Sequence, residues 1–178
     1  MDKHAALKAL CDELVIGRVD PLALPLITAF NLHPDYYTTS SCSGRISLSA
    51  AATKKGDMEL NVKWHRPVTY AEVLEAYLEY GGRRLVFLKQ EPFIFHIACA
   101  DLRAARRLLE FLTRHGIKRR GIFKLKPPIM VEFMGTEKIE MPLQFESIEL
   151  AVEAANARLR RNFRRLERLT ERWAEEFL

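Results

Sequence analysis

No stretch of this 178-residue chain approaches the ~20 apolar residues needed to span a bilayer. The opening MDKHAALKALCDELVIG carries acids inside its apolar pattern, so no signal peptide is expected either. Cysteine is scarce: Cys11, Cys42 and Cys99 are odd in number, widely spaced and without a CxxC. That excludes a disulfide framework and a zinc knuckle, and fits a reducing, cytoplasmic setting. No GxGxxG and no Walker loop occurs, which leaves a Rossmann cofactor site and a P-loop unsupported. The five histidines show neither HxxxH nor HxH spacing, so no metal site is expected. Glycine and proline are few, eight of each, and 48% of the residues are hydrophobic. Such a composition excludes a disordered chain and gives a single domain, residues 1–178, an adequate core. The 28 Lys and Arg outnumber the 23 Asp and Glu and gather in patches, which allows an anionic partner without demanding one.

The elements that are present alternate along the chain. Residues 2–16 have helical apolar spacing (Ala6, Leu7, Leu10, Leu14), and Asp20-Pro21 caps a short second helix reaching about Asn31. Strict alternation over 44–50 and 58–65 around the turn signal TKKGD predicts a β-hairpin. Its apolar side carries Ile46, Leu48, Ala50, Val62 and Trp64, and its polar side Arg45, Ser47, Ser49, Lys63 and His65. On coincident polar faces Arg45 lands beside Lys63 or His65. A helix follows from Thr69 to Tyr80, with Thr69 as N-cap, Glu72 completing a capping box and Gly81-Gly82 ending it. Strands are expected at 84–89 and 92–100; FIFHIACA is apolar on both alternating sets except at His96, as in a strand covered on both faces. Asp101 caps a helix to His115, and GIFKLK with IMVEFMG forms a hairpin across Pro127-Pro128. Residues 145–178 form one long basic helix with Val152, Leu159, Leu166 and Trp173 seven apart and arginines at 158, 160, 161, 164, 165, 168 and 172. The fold class is α+β: a mixed, mostly antiparallel sheet with packed helices and a long C-terminal helix.

YYTTSSCSGR, Tyr36 to Arg45, is unlike an ordinary core strand, because small polar side chains bury little apolar area and ask for hydrogen bonds. SSCSGR reads equally as a turn with local serine bonds or as a cradle whose hydroxyls, backbone N–H groups and Arg45 fork hold a carboxylate or phosphate. Cys42 reads first as a small buried residue and second as a thiol nucleophile. Lys63 and His65, two apart on a strand at about 7 Å, share a face and can share a ligand. Trp64 points the other way, toward a core. His96 shares its strand face with Ala98 and Ala100, either bonded to a backbone carbonyl under a close helix or free to titrate. The arginines of residues 158–168 read as a solvated face or as contacts to RNA phosphates.

The ordered set YYTTSSCSGRIS, KWH, EPFIFHIAC, HGIKRRGI, IMVEF and MPL resembles the tRNA wybutosine-synthesizing protein 3 family in its archaeal, single-domain form, from about residue 17 onward. The resemblance implies an S-adenosyl-L-methionine-dependent methyltransferase of wybutosine-derivative biosynthesis, with a fold of its own and not that of a Rossmann methyltransferase. Its substrate would be the anticodon stem-loop of tRNA(Phe), with methylation at N-4 of the 7-(3-amino-3-carboxypropyl)-4-demethylwyosine base at position 37. Carried over by position, Ser41, Cys42, His65 and His96 are the candidate catalytic residues. Ser40, Ser43, Gly44, Arg45 and Lys63 are candidates for cofactor binding, and Tyr36, Tyr37, Trp64, Arg160, Arg161 and Arg164 for base stacking and RNA contact. The chain departs from the family pattern at Val86, Arg120 and Met134-Gly135. Two other readings stand beside this one: a non-catalytic RNA-binding module, and a thiol-dependent hydrolase using Cys42. Association as a monomer or as a helix-mediated dimer is open.

Overall fold

The structure, a computed structural model, describes residues 2–50, 59–81 and 85–178. The TKKGD turn, Met58, Gly82 and the start of the strand expected at 84 lie outside the described residues. Two four-stranded sheets are present instead of one, and every ladder described is antiparallel. Packing divides the chain into two compact units. The first comprises Met1–Ser43, Phe93–Thr136 and Phe163–Leu178, the second Gly44–Pro92 and Glu137–Asn162.

In the first unit the sheet order is β1 (Tyr36–Cys42), β5 (Ile94–Cys99), β7 (Ile129–Met134), β6 (Arg119–Lys124). One sheet face carries Tyr36, Phe95, Ile97, Val131 and Phe133 and packs on α2 (Leu24–Leu32), α4 (Leu102–Arg114) and the end of α5 (Ile148–Phe177). Helix α4 forms where expected: the Asp101 carboxylate accepts from the Ala104 N–H at 2.7 Å, and Ala104, Ala105, Leu108, Phe111 and Leu112 make one buried stripe. Gly116 closes it at φ +72°, a conformation that favours glycine. Trp173 is the centre of the core, stacked on Phe177 at 4.1 Å and packed on Phe30 at 4.2 Å, with its indole N–H donating to the Ala29 carbonyl at 3.2 Å. The opposite sheet face is covered only in part, where Ala6 of α1 (Lys3–Val15) packs with Tyr37, Ala98 and Met130.

In the second unit the order is β3 (Glu59–Trp64), β2 (Arg45–Ala50), β4 (Val86–Glu91), β8 (Ile139–Leu143). The expected hairpin exists, with Ile46 opposite Trp64 and Ser47 opposite Lys63. Helix α3 (Tyr70–Gly81) begins on the expected capping box: the Thr69 N–H donates to Glu72 Oε2 at 2.8 Å and the Glu72 N–H to Thr69 Oγ1 at 3.3 Å. Asn156 of α5 is buried and satisfied in both senses by Val68, accepting from its N–H at 2.8 Å and donating to its carbonyl at 2.7 Å. The heptad-spaced Val152, Leu159, Leu166 and Trp173 are all buried, so the stripe faces the body of the protein.

Candidate active site

The YYTTSSC segment forms strand β1, not a turn, since its aromatic and β-branched residues pair along the length of β5. The turn is confined to Ser43 and Gly44, and Gly44 takes φ +106°, which a side chain would strain. Asp20, recognisable in sequence only as a helix cap, reaches this turn. Its carboxylate accepts from the Leu22 N–H at 3.1 Å and from the Ser43 N–H at 2.7 Å. The Ser43 backbone N–H is therefore engaged within the fold.

Tyr36 and Tyr37, expected to meet a base, are both buried. Tyr36 is fully buried among Phe30, His33 and Trp173, and its hydroxyl donates to the Ala104 carbonyl at 2.9 Å. Burial pushes that phenol up to about 12. Tyr37 is buried beneath Ala6. Cys99 is a core thiol, pushed to about 12 by burial and by Asp101 and Asp35, whereas Cys42, two residues from the end of the exposed Thr39-Ser40 step, is half-buried.

Beyond the part covered by α1, the open face of the first unit's sheet carries one transverse row. A bulge after Thr38 sets Ser40 opposite His96; His96 lies opposite Glu132, and Glu132 opposite Gly121. His96 Nε2 and Glu132 Oε2 are 2.7 Å apart, both side chains about one-third exposed (29% and 39%). His96 thus bonds a carboxylate on the neighbouring strand, correcting the expected backbone carbonyl beneath a close helix. Phe123, exposed, packs its ring on the His96 imidazole at 5.2 Å. A side chain on Gly121 would meet nothing within 4 Å, so the row ends in open space. Its elements suit proton transfer: an imidazole oriented by a carboxylate, reachable from solvent.

In the second unit Arg45 is opposite Glu91, and its Nε donates to Glu91 Oε2 at 2.6 Å. The terminal nitrogens of Arg45 have no partner among the described residues. The β2–β3 register that sets Ser47 opposite Lys63 and Ile46 opposite Trp64 brings Arg45 beside His65, as expected, while an acid from β4 holds its guanidinium from the other side. The fork and the adjacent carboxylate together match the two charges of an amino-acid zwitterion. Ser47 and Ser49 are buried, with hydroxyls that find no partner among the described residues. Lys63 and His65 are exposed, and Trp64 is half-buried on the face of Ile46. On α5, Arg161 and Arg158 pair with Glu137, Arg160 is exposed, and Arg164 lines a cleft of 270 Å³ with Pro21, Leu22, Pro25 and Leu166.

Glu91 in the second unit, and Glu132 and Phe123 in the first, are candidate residues the sequence reading passes over. IMVEFM holds one acid in an apolar strand, as FIFHIACA holds one histidine, and two such lone polar positions on neighbouring strands are a signal for a cross-strand pair.

This α+β arrangement recurs in solved archaeal proteins. The PH1069 protein of Pyrococcus horikoshii superposes with a TM-score of 0.87 at 31% identity, over 96% of this chain and 93% of that one. A protein of Aeropyrum pernix matches with a TM-score of 0.74 at 25% identity, over 88% of this chain and 98% of that one. Residues 1–175 match the family described as Methyltransferase TYW3. The chain belongs to that family, and is an enzyme of the transferase class. Among its relatives is the Thermococcus kodakarensis tRNA(Phe) 7-((3-amino-3-carboxypropyl)-4-demethylwyosine(37)-N(4))-methyltransferase 2, 35% identical, covering 95% of this chain and 84% of the relative. An Archaeoglobus fulgidus protein named for the same reaction is 33% identical, over 86% of this chain and 82% of its own length.

Proposed function

We infer that the protein transfers a methyl group from S-adenosyl-L-methionine to N-4 of the 7-(3-amino-3-carboxypropyl)-4-demethylwyosine base at position 37 of tRNA(Phe). The observation that carries this reading is the match to relatives named for that reaction across nearly the whole chain.

The residues present suit the cofactor. Arg45 offers two terminal nitrogens to a carboxylate and Glu91 offers an oxygen to an ammonium, the charges of a methionine moiety or of the substrate's aminocarboxypropyl tail. S-adenosyl-L-methionine, when bound, supplies a methyl already activated on a sulfonium, so the protein's task is alignment and exclusion of water. His96 takes the proton of the ring nitrogen as that nitrogen becomes the nucleophile. Glu132 holds Nε2 and stabilises the imidazolium that results, leaving Nδ1 to face the substrate. Ser40, across the strand from His96, contributes a hydroxyl to the same face.

The test is transfer of label from methyl-labelled S-adenosyl-L-methionine to two tRNA(Phe) preparations, one carrying the preformed tricyclic base and one carrying unmodified guanosine. Label in the first alone supports the reading; label in neither, or in both equally, overturns it.

A further inference from the structure

One of the two longest acid-free stretches of the chain borders the row of His96 and Glu132. Residues 111–131 contain six Lys and Arg and no Asp or Glu. Two of the six are engaged: Arg114 pairs with Glu176 at 2.5 Å, and Arg120 bonds the Ile117 carbonyl. The other four, Lys118, Arg119, Lys124 and Lys126, are exposed and have no ion-pair partner among the described residues. Between them project two apolar side chains, Phe123 at 57% and Leu125 at 69% exposure. An exposed aromatic ring set among unpaired cations matches a single-stranded nucleic acid, which offers both a π-face and phosphates.

The strand geometry aims this surface at the proton-transfer row. A bulge between Ile122 and Lys124 interrupts the β6–β7 register at Phe123, which leans its ring onto His96 at 5.2 Å. Arg119 shares a sheet face with Gly121, and Gly121 sits opposite Glu132 with open space above it. A flat, uncovered floor is therefore bordered by an aromatic wall and basic flanks, with the imidazole at its edge.

We propose that the β6–β7 hairpin, residues 118–126, is the surface that docks the anticodon loop. Phe123 stacks an unpaired base beside His96, and Lys118, Arg119, Lys124 and Lys126 meet loop phosphates. The partner follows from charge complementarity with an RNA strand, and the assignment rests on the reading that this chain acts on tRNA(Phe). Phe123 supplies base-tolerant stacking; the cations supply the sequence-independent, salt-sensitive share of affinity.

The experiment measures binding of a labelled, unmodified anticodon stem-loop by anisotropy over a salt series, beside calorimetric binding of S-adenosyl-L-methionine. Phe123→Ala is expected to weaken stem-loop binding about ten- to a hundredfold at fixed salt, with the salt slope unchanged, and Phe123→Trp to restore it. Lys124→Ala with Lys126→Ala is expected to flatten the slope by about 1.4, the value for two single-strand phosphate contacts. Cofactor affinity stays constant in every variant. Unchanged stem-loop binding by Phe123→Ala overturns the proposal, as does a selective loss of cofactor affinity, which would make Phe123 a platform for the cofactor's adenine. Failure of the functional reading looks different: stem-loop binding would respond to Phe123 as stated while no methyl reached the tricyclic base.

Discussion

Replacing Glu132 by Gln removes a charge from the His96 pair and leaves an acceptor oxygen in nearly the same place. The contact is short, 2.7 Å, but both side chains are about one-third exposed, and exposed ion pairs contribute at most ~1 kcal/mol to stability. In a chain of this size that is a melting shift of no more than ~4 °C. The catalytic consequence is larger. A charge-assisted bond is roughly twice as strong as a neutral one, so the imidazolium formed in the transition state loses about 1–1.5 kcal/mol, close to tenfold in kcat. His96→Ala removes the base itself and is expected to cost ~100-fold or more. Single-turnover transfer of labelled methyl, with tRNA and cofactor both saturating, reads the difference. KM for tRNA should move less than about twofold, because neither change touches uniform binding. If Glu132 acts through His96, the double variant is no slower than His96→Ala alone. Full kcat in Glu132→Gln, or independent and multiplying losses in the double variant, would refute the reasoning.

Arg45→Lys keeps a cation for Glu91 but loses the planar fork, so affinity for the cofactor or for the aminocarboxypropyl tail should fall about tenfold, with a melting temperature within ~2 °C of the parent; calorimetry with each ligand identifies which carboxylate it serves. Trp173→Ala, at the centre of an aromatic cluster, should cost ~3–5 kcal/mol and lower the melting temperature by about 10 °C, a value scanning calorimetry would contradict if the loss were under ~3 °C. Burial is the main influence lowering the pKa of His33, with Arg107 and Lys3 adding to it and Asp35 opposing. The unfolded chain therefore takes up this proton first; stability is intact above the ordinary histidine range near ~6.5 and is lost as pH falls below it, and His33→Gln should flatten that acid-side decline in denaturant titrations.

Local chemistry was legible in the sequence. The Thr69–Glu72 capping box, the Asp101 cap, the β2–β3 hairpin and the buried heptad stripe of α5 each depend on residues a few positions apart, and the structure contains all of them. Strand neighbours were not legible. Alternation assigns faces but not partners, so β1 pairing β5 and β2 pairing β4 could not be foreseen, and one expected sheet became two. The same blindness hid one acid in each unit: Glu91 reaches Arg45 and Glu132 reaches His96 only through ladders between segments 46 and 36 residues apart. The Ser-rich segment misled in the opposite direction. Its serines favour local turns, yet Tyr36, Tyr37 and Thr38 carry it into a strand, which buries the two tyrosines expected to meet a base.

The measurement that tests the account most directly is fragmentation mass spectrometry of position-37 nucleosides from tRNA(Phe) carrying the preformed aminocarboxypropyl-demethylwyosine, after incubation with the protein and S-adenosyl-L-methionine. The account predicts the gain of one methyl, retained on the tricyclic ring fragment after the aminocarboxypropyl tail is lost, and a gain at least ~100-fold slower with His96→Ala. A methyl found on the tail or on another nucleoside, or transfer undiminished in His96→Ala, would contradict it.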